Sequence, residues 1–205
     1  MSKTHFSGDR KRQANQMADV FPRIYRDYWG ENTTCRDFQA GVHYNPDDAE
    51  KSLAEIHDIM GADRLILNET ELGSMPIFAE EKSRTFKREK LDKSYYNRPF
   101  DEDLALTTEY HNRKNQSKHA KHMAHKDGYS FIPTVLSFLV YEADTLEPIR
   151  AYLIDYHKLL NEKDTLDYTE NTNASDGNTT HYISQMELIE RDLVIHSWTN
   201  DGWTQ

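Results

Sequence analysis

Three charged residues border two short apolar runs in the first half of the chain. Asp63 precedes the run 65–67, and Glu80 and Lys82 follow the run 77–79. Two such runs predict a hairpin, which would bring Asp63 beside Glu80. Paired carboxylates are suitable ligands for Mg²⁺, and Lys82 lies on the same strand face as Glu80. These residue types suit metal-dependent phosphodiester hydrolysis, in which a cation activates water and a lysine stabilises developing charge.

The same pattern leaves alternatives open. The charges also fit an ordinary hairpin whose ends face the solvent. Glu81 competes with Glu80 for the role of second carboxylate, because a β-bulge would turn Glu81 toward Asp63.

The elements that must position these residues follow from the pattern around them. Residues 45–61 predict a helix that starts after the N-cap Asn45 and ends at Gly61. Strands are expected over 63–67 and 76–83, separated by a turn. The predicted order of a helix and two strands places the three charged residues at one end of the hairpin.

The remaining segments complete a predicted α/β (α+β) fold with a mixed sheet flanked by helices. The predictions are a helix over 9–29 interrupted at Pro22, irregular chain over 30–45 with a short strand near 38–44, helices near 102–111 and 116–125, strands over 129–143 and 149–160, a loop over 161–180, and strand, short helix and strand over 181–198. Residues 1–30 are expected to form a helical segment that packs on one domain, 31–205, with a polar insert at 85–128.

The order of helix, glycine cap, Asp-led strand, turn and strand ending in Glu80-Glu81-Lys82 resembles the PD-(D/E)xK nuclease superfamily. That superfamily includes restriction endonucleases, Holliday-junction resolvases and many phage and mobile-element nucleases. Ala62-Asp63 stands where its motif has Pro-Asp. The resemblance implies a restriction-endonuclease-like fold and a metal-dependent DNA endonuclease. Asp63 and Glu80 would bind Mg²⁺ or Mn²⁺, and Lys82 would be the catalytic lysine.

The resemblance also implies an accessory acid, since members of the superfamily often carry one on the preceding helix. Glu55 is the candidate for this role, and Glu50 and Asp58 compete with it. DNA is the implied partner. A homodimer is compatible with the class, because two sites can then cut two strands.

The charge distribution allows a local nucleic-acid surface on an acidic protein. The net charge is -10, which excludes a uniformly basic surface. Basic residues nevertheless cluster over 82–93 and 112–126. The candidate DNA-binding residues are Arg84, Lys114, Lys118, Lys121 and Lys126. A solvated face without a ligand is the alternative for each cluster.

Cysteine usage and hydropathy indicate the compartment. The one cysteine, Cys35, excludes an intramolecular disulfide and favours a reducing, cytoplasmic setting. The first residues lack an apolar signal segment, and no apolar run is long enough to span a bilayer, so no membrane partner is expected. Two other functions remain open: an inactive binding module with a nuclease fold, and an acidic phage or mobile-element protein that blocks a nucleic-acid-binding partner.

Overall fold

The computed structural model describes residues 20–37, 62–70, 73–86, 104–109, 132–142, 145, 147–172 and 179–199. In chain order the elements are α1 (20–29), β1 (Thr33–Asp37), β2 (Arg64–Thr70), β3 (Gly73–Phe86), β4 (Leu104–Glu109), β5 (Val135–Glu142), β6 (Pro148–Asp155), α2 (Tyr156–Glu162), a 3-10 turn (Lys163–Thr165), β7 (Tyr168–Thr172), β8 (Thr179–Ile183), α3 (Gln185–Glu190) and β9 (Val194–Thr199). The protein is therefore a mixed α/β structure with more sheet than helix.

The strands form two sheets. The larger has six strands in the order β1-β2-β3-β5-β6-β9, and the smaller has three in the order β4-β8-β7. In the larger sheet β3 and β5 are parallel, whereas the other neighbours are antiparallel. The large sheet is thus mixed, as the sequence predicts.

The large sheet is covered on both faces. Strand β5 is buried from Val135 to Tyr141, because its near-continuous apolar run has a partner layer on each side. On one face α1 packs through Phe21, Ile24 and Tyr25 against the sheet. On the other face α2, α3, β4 and β8 contribute a second core, to which β5 supplies Leu136, Phe138 and Val140 and β6 supplies Tyr152 and Ile154.

The strand predicted over 149–160 is wrong beyond Asp155. The carboxylate of Asp155 accepts a hydrogen bond from the Lys158 amide at 2.9 Å, which is an N-cap contact that begins α2. Apolar residues recur from Ile149 to Leu160, and a short segment of this kind does not by itself separate a buried strand from a buried helix. Tyr156, Leu159 and Leu160 are buried by this helix.

The helix predicted near 102–111 is also wrong, because Leu104–Glu109 form strand β4. Leu104 and Leu106 are fully buried, with half-buried Ala105 between them, which is the two-residue alternation of a strand. Strand β4 pairs with β8.

Two segments predicted to be irregular contain strands. The loop expected over 161–180 includes β7, whose five residues are all exposed. The stretch 30–45 includes β1, which pairs with β2. Both strands are polar and lack a clear hydrophobic pattern, so their pairing with a neighbouring strand is what defines them.

Several predictions are confirmed. Strands β2 and β3 lie where the hairpin is predicted, although both are longer, and β8, α3 and β9 give the expected strand, short helix and strand. The predicted helices over 45–61 and 116–125 and the short strand near 38–44 lie outside the described residues. Within the part of the chain that the structure describes, no helix is long and apolar enough to cross a membrane.

Candidate functional site

The candidate site lies where β2 begins and β3 continues past it. The two strands pair in register from Arg64 with Ala79 to Thr70 with Gly73. Beyond Ala79, β3 continues alongside β5 as far as Phe86. The start of β2 therefore leaves a gap beside β3, next to residues 80–82.

Asp63 fills this gap. Its amide donates to the Ala79 carbonyl oxygen at 2.8 Å, and its Oδ2 accepts from the Glu81 amide at 2.7 Å. The side chain thus satisfies a backbone donor that lies beyond the end of the ladder. Asp63 therefore contacts Ala79 and Glu81, the two residues that flank Glu80.

Glu80 and Lys82 face the core that contains α2. They lie opposite Leu136 and Phe138 of β5, which belong to that core. The ammonium of Lys82 forms an ion pair with Glu80 Oε1. The Glu80 side chain is 1% exposed and that of Lys82 is 32% exposed, so the lysine reaches from the surface to a buried carboxylate.

Tyr156 of α2 lies within the electrostatic influence of both carboxylates. It is the first residue of α2 and is 1% exposed. Burial raises the pKa of Tyr156 well above its ordinary value, and the negative charges of Glu80 and Asp63 raise the pKa further. Since such effects weaken with distance, both carboxylates lie near this phenol.

Tyr156 is a site residue that sequence reasoning missed. Its position depends on α2 packing against β5 and β6, whereas the sequence pattern predicts that the strand continues there. The Asp155 N-cap is the signal that could have placed Tyr156 at the start of a helix.

Glu81 faces the opposite side of the sheet. Its carboxylate accepts two hydrogen bonds from Arg64, Nε to Oε1 at 2.6 Å and Nη2 to Oε2 at 3.2 Å, and a third from the Tyr25 hydroxyl at 2.8 Å. Burial raises the pKa of Glu81 to about 7, although Arg64 acts in the opposite direction. The β3–β5 register runs without a shift from Ala79 to Phe86, so Glu80, rather than Glu81, shares a strand face with Lys82.

The donor set fits a small divalent cation. Mg²⁺ is commonly held by one or two carboxylates and retains several waters, which matches Asp63 and Glu80. A carboxylate has two oxygens with about four lone-pair positions, so ligation is compatible with the hydrogen bond to Asp63 Oδ2 and the ion pair at Glu80 Oε1. In the described ranges no three His, Cys, Asp or Glu residues form a metal-binding group.

The other predicted site residues fall in two classes. Arg84 lies within the described residues, on the same strand as Lys82. Its guanidinium carbon lies 5.1 Å from the centre of the Tyr182 ring. The remainder lie outside the described residues: Glu50, Glu55, Asp58, Lys114, Lys118, Lys121 and Lys126.

Comparison of the chain with protein-family models, with curated proteins and with solved structures finds no match. The function is therefore inferred from the residues and their arrangement.

Proposed function

We propose that the protein is a metal-dependent nuclease that hydrolyses phosphodiester bonds of DNA. The observation that carries the proposal is the pair of contacts at the end of the β2–β3 ladder, where Asp63 accepts from the Glu81 amide and Lys82 pairs with Glu80. Asp63, Glu80 and Lys82 are the residues of the sequence motif. The negative charges of both carboxylates raise the pKa of buried Tyr156, which agrees with the proposal.

Each residue has a definite part. Asp63 and Glu80 would hold Mg²⁺ or Mn²⁺ through carboxylate oxygens. When bound, the cation polarises the phosphoryl oxygen and lowers the pKa of a coordinated water. Lys82 presents its ammonium beside the Glu80 carboxylate, where a compact positive charge stabilises the charge that develops on the phosphate.

The architecture supports a restriction-endonuclease-like fold. The sheet is mixed, and helices cover both of its faces. Strand β3, which carries Glu80 and Lys82, pairs in parallel with the buried strand β5, so β5 holds this side of the site in place. Arg84 lies two positions beyond Lys82 on β3 and extends a positively charged edge along which a DNA strand would bind.

The test is cleavage of branched, duplex and single-stranded DNA by the full chain with Mg²⁺ or Mn²⁺. We expect Asp63→Asn and Glu80→Gln each to reduce the single-turnover rate by at least about 100-fold, since each removes a charged ligand of the cation. The matched control is Glu190→Gln, the same chemical change at an exposed residue of α3, which should cleave like the wild type.

A DNA-binding module without catalysis is the second candidate, and one observation favours it. Lys82 pairs with Glu80, and the Glu81 amide bonds to Asp63, so both carboxylates have partners within the fold. Such a module would bind DNA without cleaving it. Its melting temperature would not rise with Mg²⁺, whereas a nuclease that binds the ion in its folded state gains stability by mass action. Absence of both cleavage and stabilisation would reject the nuclease proposal.

A further inference from the structure

A buried ionic cluster lies on the α1 face of the sheet, on the opposite side of β3 from Glu80. Its centre is the bidentate pair of Arg64 and Glu81, whose side chains are 5% and 10% exposed. Tyr25 of α1 donates to Glu81 and lies 2.7 Å from the Ser137 hydroxyl of β5. Asp37 of β1 accepts from Arg64 Nη2 at 3.5 Å. The cluster joins one helix and four strands.

The two central residues are direct sequence neighbours of the candidate metal ligands. Arg64 follows Asp63, and Glu81 follows Glu80. The backbone completes the connection, because the Glu81 amide donates to Asp63 Oδ2 at 2.7 Å. The pair therefore fixes the start of β2 against β3 directly beside Asp63 and Glu80.

A stabilising role alone does not account for this pair. Desolvation of two buried charges offsets much of their attraction, and apolar replacement of a whole buried pair is often neutral. A bidentate guanidinium–carboxylate pair does, however, hold its two side chains in a fixed relative geometry. Groups that orient metal ligands from outside the coordination shell affect metal affinity about 10- to 100-fold.

We propose that Arg64 and Glu81 are positioning residues that hold the Asp63 and Glu80 carboxylates at the separation and orientation a divalent cation requires. The inference rests on the proposed function, since it concerns a cation at those two carboxylates. In this role Arg64 and Glu81 act through the backbone and would contact neither the cation nor the substrate.

The experiment compares Mn²⁺ affinity, measured by calorimetric titration of the full chain, in the wild type and in Arg64→Met/Glu81→Met. Removing both partners leaves no unpaired buried charge from the pair. Tyr25 retains Ser137 as a partner, and the Asp37 side chain is 28% exposed and so accessible to water. We expect the variant to fold, with a similar urea midpoint, and to bind Mn²⁺ at least about 10-fold more weakly.

A second variant, Arg64→Lys, keeps the positive charge but loses the planar fork. We expect it to show an intermediate loss of Mn²⁺ affinity, and it provides the same comparison if the double variant does not fold. Wild-type affinity in Arg64→Lys, with the double variant unfolded, would overturn the positioning role.

Two controls separate positioning from general stability. Arg191→Met/Glu187→Met removes the ion pair of α3, whose atoms are 3.0 Å apart, by the same substitutions and should leave Mn²⁺ affinity unchanged. Leu188→Ala destabilises the fold through a fully buried leucine of α3 and should also leave the affinity unchanged where the protein is folded. An equal loss of affinity in either control would overturn the inference.

The outcomes also distinguish this inference from the proposed function. If the wild type binds Mn²⁺ and the Arg64/Glu81 double variant binds it equally well, the positioning role is overturned and the nuclease proposal stands. If the wild type binds no Mn²⁺, both are overturned.

Discussion

Lys82 connects the surface of the protein to a buried carboxylate. Its ammonium contacts Glu80, which has almost no exposed surface, while about a third of its own side chain remains exposed. A lysine at this position can act on a substrate that approaches from solvent without losing its contact with the carboxylate. Its expected contribution is therefore to the chemical step more than to metal binding.

Replacing Lys82 with glutamine should separate these contributions. We expect Lys82→Gln to reduce the single-turnover rate of Mg²⁺-dependent DNA cleavage by about 100-fold or more, because a neutral amide cannot stabilise the charge that develops on the phosphate. Substrate and Mn²⁺ affinity should change little, since an interaction made mainly in the transition state appears in turnover.

Lys158→Gln is the matched control for Lys82. The Lys158 side chain is 35% exposed, close to the 32% of Lys82, but its ammonium contacts the backbone oxygens of Arg191 and Asp192 and the exposed Asp192 carboxylate, away from the candidate site. This variant should cleave DNA like the wild type. Full activity in Lys82→Gln would remove Lys82 from the mechanism.

At the scale of elements, the ionic cluster joins α1 to the sheet and makes this packing depend on pH. Burial raises the pKa of Glu81 from 4.5 to about 7, despite the opposing effect of Arg64. Between these values the folded protein binds more protons than the unfolded chain. Its free energy of unfolding therefore falls as pH rises from about 4.5 to 7, and this contribution is constant above that range.

Urea unfolding in EDTA between pH 4.5 and 8 measures this effect. The contribution of Glu81 should amount to at most about 3 kcal/mol across the window. Glu81→Gln lacks the titrating group, so its free energy of unfolding should fall less over the same range. Parallel pH profiles for wild type and variant would show that Glu81 does not titrate there.

The elements near the site could be predicted because their signals are local. Short apolar runs with charged ends define β2 and β3, and a two-residue alternation defines strand faces. The contact between Arg64 and Tyr25 through Glu81 could not be predicted in the same way, because it requires α1 to pack on that face of the sheet. Residues 25 and 81 are 56 positions apart, and nothing in the sequence between them indicates the contact.

The polar strands were missed for a different physical reason. Strand β7 exposes all its residues, so its sequence shows no buried face. It exists because its backbone pairs with β8, from Tyr168 with Ile183 to Thr172 with Thr179. The segment of β6 and α2 presents a different problem, because four consecutive buried residues of the strand, 151–154, are followed closely by a helix too short for its own periodicity to stand out.

At the scale of the whole molecule, an acidic protein must bind a polyanion through a local basic surface. The net charge of -10 repels DNA at long range. Lys114, Lys118, Lys121 and Lys126 concentrate positive charge in one stretch of the chain, and Arg84 adds a positive group beyond Lys82. If this stretch binds phosphates, its lysines must contribute more to DNA affinity than the same number of basic residues placed elsewhere on the protein.

Charge reversal at two of these lysines tests whether location matters. We expect Lys118→Glu/Lys121→Glu to weaken DNA binding. The slope of log affinity against log salt should become shallower by about 2, because each lost phosphate contact releases about 0.9 fewer counterions.

Arg23→Glu/Arg26→Glu is the matched control, since it changes the net charge equally at two exposed residues of α1. It should weaken binding only slightly and leave the salt slope nearly unchanged. Fluorescence anisotropy with labelled DNA over a range of NaCl concentrations measures both quantities. Equal losses in the two variants would assign the effect to net charge and reject a phosphate-binding role for Lys118 and Lys121.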